Sequence, residues 1–240
     1  MFLGLVSLFR HRLGAFAKVA SLAMMSLLLA GCNGELSVVD PAGPAARAIA
    51  TLWWVMLAGA TAIFTLVMVL LFGAFRAKRT EAPESVQERF WILGLGLVFS
   101  LGVLGALLAY GLLTGERLMP RAGTGLIRVE AEAQRWQWRF AYPGSGAAET
   151  EDVLHIPAGR PVDVAITSRD VVHSFWVPRL AGKLDAIPGR VNVLRIEADT
   201  PGTYRGLTAE YNGTGYSGHV FTVRVHDAED WAAFLEGSMK

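Results

Sequence analysis

Two membrane-crossing helices followed by an all-β head is the fold class this sequence predicts. Residues 48–75 and 90–115 carry no charged side chain, and each run exceeds the roughly 20 residues needed to cross about 30 Å of hydrocarbon. From Arg121 onward the pattern becomes short segments of alternating polarity, cut by Pro143-Gly-Ser-Gly, Pro157-Ala-Gly, Pro188-Gly and Pro201-Gly. Many short strands with such punctuation read as a β-sandwich or barrel.

The first observation sets the class. Of 240 residues, 52% are hydrophobic and 18% charged, against roughly 25% charged in soluble domains. A soluble globular protein and a disordered chain are both excluded. Trp53, Trp54 and Trp91 lie near the run ends, where indoles favour the membrane interface. The connecting loop, 76–89, holds Arg76, Lys78, Arg79 and Arg89. The positive-inside bias therefore puts it in the cytoplasm and both chain ends outside. The expected location is a bacterial inner membrane, crossed more than once, with the C-terminal domain in the periplasm. A formal net charge of +1 leaves no polyanion footprint, so no nucleic-acid partner is expected.

The N-terminus agrees with export. Arg10, His11, Arg12 and Lys18 precede an apolar run at 19–31, too short for a comfortable span. The run ends Leu28-Leu29-Ala30-Gly31-Cys32. Small residues before a cysteine resemble the lipobox of bacterial lipoproteins. That resemblance implies cleavage after Gly31 and thioether acylation of Cys32. It divides the chain into a signal peptide at 1–31 and an exported segment at 32–47, ahead of the hairpin at 48–115. A buried free cysteine in a helix is the alternative. Cys32 is the chain's one cysteine; this excludes an intrachain disulfide, a CxxC pair and any site needing two thiolates from this chain.

The head is expected over 120–240. Alternation marks strands starting at Ile127, Trp136, Val153, Val162, Val191 and Val220. Trp136, Trp138 and Phe140 are expected to share one strand face, as core or as interface with a partner subunit. A terminal helix over 228–235 is expected, with Asp227 as N-cap and Trp231, Phe234 and Leu235 on one face.

Asp170-Val-Val-His-Ser-Phe-Trp-Val-Pro178, Lys183-Leu-Asp-Ala-Ile-Pro-Gly-Arg190 and Pro201-Gly-Thr-Tyr204 together resemble subunit II of haem–copper terminal oxidases. The Trp136-Gln-Trp strand and the preceding hairpin fit the same family. The resemblance implies a cupredoxin-like head on a two-helix anchor. It also implies a haem-binding subunit I and further membrane subunits as partners.

In the cytochrome c oxidases of that family the head holds a dinuclear copper centre. Its ligands follow the pattern His, then Cys-x-Glu-x-Cys, then His four residues on and Met three beyond. The matching positions here are His173, Thr208, Glu210, Asn212, Tyr216 and His219. Both bridging thiolates are absent, and hydroxyl and amide oxygens do not replace sulfur for copper(I). No copper is expected in this chain, although His173 and His219 leave a single metal conceivable beside the alternative of plain hydrogen-bonded histidines. The segment 206–218 resembles the same loop of cytochrome bo-type quinol oxidases, a branch that also starts with a lipoprotein signal. Two residues depart from that branch: Glu210 is retained, and His219 stands where methionine is usual.

The resemblance implies two further roles. Glu210 matches a glutamate whose side chain reaches a magnesium near subunit I; an ordinary solvated carboxylate is the alternative. Glu88-Arg-Phe-Trp91 resembles the start of the second helix, where a glutamate takes up protons from the cytoplasm. Here the alternative is an acid favoured by the helix macrodipole, with Glu81 and Glu84 as competitors. The expected function is therefore subunit II of a proton-pumping quinol oxidase that reduces oxygen to water. Haems, the oxygen-reducing copper and bound quinol would sit in subunit I, and no cofactor in this chain. Two rivals stand beside it: a cytochrome c oxidase subunit II with a degenerate copper site, and a non-enzymatic periplasmic lipoprotein for copper handling or sensing.

Overall fold

The computed structural model describes residues 34–76, 83–121, 123 and 125–237. The leader and Cys32 lie outside the described residues. Helix α1, Pro44–Arg76, starts on a proline, whose fixed φ suits a first helical position. A second continuous helical stretch follows, made of α2 (Glu84–Glu88), a π-helical segment (Arg89–Phe99) and α3 (Ser100–Leu118). Pro44–Arg76 and Ser85–Leu118 are each long and apolar enough to cross a membrane. Their Leu, Val, Ile and Phe side chains face outward on all sides, the pattern of a helix solvated by lipid or by partner helices. Thr51, Thr61 and Thr65 each donate to the carbonyl four residues back at 2.8 Å. This satisfies their hydroxyls within the helix, as an apolar surround requires.

The head is a sandwich of two five-stranded sheets. One runs β3 (Thr150–Glu151), β2 (Gln137–Ala141), β1 (Ile127–Gln134), β5 (Val162–Ser168), β8 (Asn192–Ile196). The other runs β4 (Val153–Pro157), β10 (Val220–His226), β9 (Gly202–Thr208), β6 (His173–Trp176), β7 (Leu184–Ala186). The β1–β5 and β4–β10 pairs are parallel and the rest antiparallel. Alternation decides the faces. Val129, Ala131 and Ala133 point inward from β1, and Phe221, Val223 and Val225 from β10. Trp138, Phe175 and Phe221 form the aromatic centre, with ring centroids 4.8–5.6 Å apart. A Cβ on Gly206 would fall 2.3 Å from the Phe221 ring, so only glycine fits there.

Trp136 departs from the expected face. It lies in the β1–β2 turn, one residue before β2 begins, and is 44% exposed, whereas Trp138 and Phe140 are fully buried. Ladder pairing starts at Gln137, which meets Gln134, so period-2 alternation does not extend back to Trp136.

The segment before α1 and the first turn of α1 strap the head to the helix. Ala42 N–H donates to the Arg179 carbonyl (2.7 Å) and Ala46 N–H to that of Leu180 (3.2 Å). The Ala42 carbonyl in turn accepts from Asp199 N–H at 2.9 Å. Arg47 pairs with Asp199, and Arg179 with Asp40 at 2.9 Å. A Cβ on Gly43 would come within 2.0 Å of the Glu197 carbonyl, so the strap lies directly against the head's backbone. At the chain's other end, helix α4 (Ala228–Leu235) has the expected cap: Asp227 accepts from Glu229 and Asp230 N–H at 3.0 and 2.9 Å.

Candidate functional site

Four of the six positions that match the family's ligand pattern come together at one end of the sandwich. His173 opens β6, Thr208 closes β9, and Asn212 and His219 lie on the loop between β9 and β10. His173 and His219 are fully buried, and Thr208 and Asn212 nearly so. Asn212 is the hub. Its Oδ1 accepts from the Trp136 indole N–H at 3.1 Å. Indole only donates, and this fixes which way the amide points. Nδ2 then faces His173 Nδ1 at 2.7 Å and His219 Nδ1 at 3.0 Å. An amide NH₂ only donates, so both Nδ1 atoms accept and both rings carry their proton on Nε2.

The outer contact of His173 agrees with that assignment. His173 Nε2–H donates to Asp170 Oδ1 at 2.7 Å. Asp170 also accepts from the Arg135 backbone N–H (3.0 Å) and guanidinium (3.1 Å). Burial pushes the Asp170 carboxyl up, but donors from His173, Val171 and Arg135 outweigh it and hold it well below the usual range. His219 is lowered to about 4, chiefly by burial and secondly by His173, against opposing pulls from the Gln137 carbonyl and Asp170. Among the described residues, His219 Nε2 is the one buried side-chain nitrogen or oxygen without a hydrogen-bond partner. Trp138 walls the cluster: its N–H donates to Thr208 Oγ1 at 3.0 Å, and its ring centroid lies 5.8 Å from that of His219.

The other two matching positions stand apart. Tyr216 is 45% exposed and stacks edge-on with Tyr211. The Glu210 side chain turns back on its own loop, accepting from Tyr211 N–H at 3.1 Å. Glu88 is exposed at the start of the second helical stretch. Two functional members escape the sequence reading. Asp170 sits inside a quoted motif with nothing marking it as a His173 partner, and alternation speaks for the Trp136 ring but not for its N–H.

A β head that brings two imidazoles together at one end, behind two helices long and apolar enough to cross a membrane, defines a membrane-tethered β-sandwich class. The match to "Cytochrome C oxidase subunit II, periplasmic domain" covers residues 143–225. The chain is 32% identical over 237 residues to ubiquinol oxidase subunit 2 of Acetobacter aceti, covering 92% of this chain and 75% of that one. It is 30% identical over 237 residues to quinol oxidase subunit 2 of Bacillus cereus (92% and 80%). It is 29% identical over 229 residues to cytochrome c oxidase subunit 2 of Alkalihalophilus pseudofirmus (90% and 66%). The chain belongs to the subunit II family of haem–copper terminal oxidases.

The residues present do not fit the dinuclear copper of the cytochrome c oxidase branch. The two Nδ1 lone pairs that would meet a metal are both taken by one amide NH₂, and the thiolate positions hold Thr208 and Asn212. Among the described residues, no group of three or more His, Cys, Asp or Glu is placed to hold a metal ion.

Proposed function

We propose that this chain is subunit II of a quinol-oxidising, proton-pumping terminal oxidase, holding and shaping subunit I and carrying no redox cofactor itself. One observation carries the reading: the Asn212 amide stands between the two imidazoles and braces three loops that a metal would otherwise join. The names of the Acetobacter and Bacillus relatives support the quinol side. Haems, copper and bound quinol then belong to subunit I. In this reading the mature chain lies in the bacterial inner membrane, crossing twice, with a diacyl anchor on Cys32; mass spectrometry showing an uncleaved leader or an unmodified Met1 would overturn that anchor.

The choice of electron donor tests this against the cytochrome c reading. Cytochrome c is basic and docks by charge, so its partner should present excess acid. From Glu116 onward this chain has 14 basic and 16 acidic residues, a formal charge of −2. Arg135 lies beside the half-exposed Trp136, and nothing at Asn212 accepts an electron. The purified complex is expected to oxidise a soluble ubiquinol or menaquinol analogue. Reduced cytochrome c should be oxidised no faster than in an enzyme-free control. Brisk, salt-sensitive cytochrome c oxidation with no copper in the head and no extra cytochrome subunit would overturn the proposal.

Glu88 is proposed as the point of proton uptake from the cytoplasm, supported by its exposed place at the head of the second helical stretch. Glu88→Gln should slow oxygen consumption on the order of a hundredfold, the low end of what one proton-transfer group contributes, while the complex still assembles. Unchanged turnover would assign Glu88 to the helix start alone and move the test to Glu84.

A further inference from the structure

At the other end of β10 from His219 lies a second pair of histidines. His155 on β4 and His226, the last residue of β10, are 8% and 7% exposed. His155 Nδ1 and His226 Nε2 are 2.8 Å apart. At that distance between two ring nitrogens, one donates and the other accepts, so the pair holds a single proton between its facing atoms. The rings lie within 10° of parallel and form a floor for helix α4. Phe234 stacks on His155 at 4.2 Å and 1°, and is also near-parallel to His226 at 5.9 Å. Trp231 lies 6.4 Å from His226. Tyr142 stands edge-on to His155 and its hydroxyl accepts from the His155 backbone N–H at 2.8 Å.

Helix α4 depends on that floor. Eight residues are too few for a stable isolated helix. Its attachment is Trp231, Phe234 and Leu235 against the core, plus the bond from Gly146 N–H to the Leu235 carbonyl at 2.8 Å. We infer that the His155–His226 pair is an acid-operated latch. A proton taken from water by the accepting nitrogen breaks the N–H···N bond, sets two N–H groups face to face beneath Phe234, and releases α4 from the sandwich.

Burial, ahead of the surrounding charges, sets that direction. His155 is lowered to about 4 by burial first, then by His226 and by Arg224, its register neighbour on β10. His226 is lowered by burial and Arg224, against Asp230 and Asp227 at the start of α4, which pull it up. Tyr142 adds only its hydroxyl, itself pushed up by burial. Both imidazoles therefore bind a proton less readily when α4 is docked than when free. Their contribution to docking is complete above about pH 6.5, the ordinary imidazole value, and is lost as pH falls towards 4. The latch also abuts the strap. His226 O accepts from Ala158 N–H, Gly159 N–H donates to Ala198 O, and Asp199 N–H donates to Ala42 O, at 2.7–2.9 Å.

Hydrogen exchange on the full chain in detergent tests this, with rates corrected for their intrinsic pH dependence. From pH 7 to pH 4.5, protection of the α4 amides should fall on the order of thirtyfold relative to those of β5. Unchanged relative protection would overturn the latch. His226→Gln keeps a donor and an acceptor but does not titrate, so α4 protection should then stay level. A persistent fall in that variant would trace the release to carboxylates such as the Asp227 cap and defeat the proposal. Should His226→Gln fail to fold, imidazole C–H shifts of the unaltered chain decide. Midpoints below 5 that coincide with the loss of α4 protection support the latch, and midpoints of 6 or above refute it.

Discussion

Asn212→Ala is expected to destabilise the head by about 3 kcal/mol, read as a drop in thermal midpoint of the full chain in detergent. The truncation leaves the His173 and His219 Nδ1 acceptors without a donor and the Trp136 indole N–H without an acceptor. The two imidazoles are fully buried, so water cannot take over freely. Each buried group left unpaired costs about 1–3 kcal/mol, and partial collapse of the loop returns some of that. Asn212→Asp separates hydrogen bonding from packing, because it is nearly isosteric but offers only acceptors when ionised. With Asn212, His219 is held down to about 4, so its contribution to stability is full above about pH 6.5 and declines as pH falls towards 4. With a carboxylate facing it in that variant, the His219 imidazole gains by protonation and its value rises. Stability should then be greater at pH 5.5 than at pH 8, the reverse of the unaltered chain. Parallel pH profiles for the two proteins would show that the amide does not govern these rings.

Trp138→Ala is expected to cost about 4 kcal/mol, the middle of the range for an aromatic core truncation. The indole is fully buried and touches Phe140, Phe175, Phe221, His173 and His219, so no single neighbour can fill the space. The Thr208 hydroxyl also loses its indole donor. Trp138→Phe keeps much of the packing and removes that hydrogen bond, so it should cost roughly half as much. Denaturant midpoints at constant slope measure both variants. A loss below about 1 kcal/mol for the alanine variant would mean that the aromatic centre is not what joins the two sheets.

Much of this architecture is legible along the chain. Two charge-free runs longer than a bilayer core, alternating short segments and an Asp227 cap before an apolar helical face each depend on neighbours a few residues apart, so local pattern suffices to read them. The absence of thiolates at 208 and 212 is likewise a matter of residue identity. What takes their place is not local. Asn212 meets His173 across 39 positions and Trp136 across 76, and His155 meets His226 across 71. Those meetings depend on strand register and on where two loops come to lie against each other, which no periodicity encodes. The same cause explains Trp136. Alternation assigns it to the face of Trp138, but pairing in the β1–β2 ladder begins one residue later, and the turn swings its ring out over Gly213 and Gly215, 2.5–3.9 Å from where their Cβ atoms would stand. Residue order alone dictates two helices long and apolar enough to cross a membrane, a β head and the lack of thiolates at 208 and 212. That one amide joins both imidazoles is a property of the folded head, because hydrogen-bond geometry exists only once distant strands are in register.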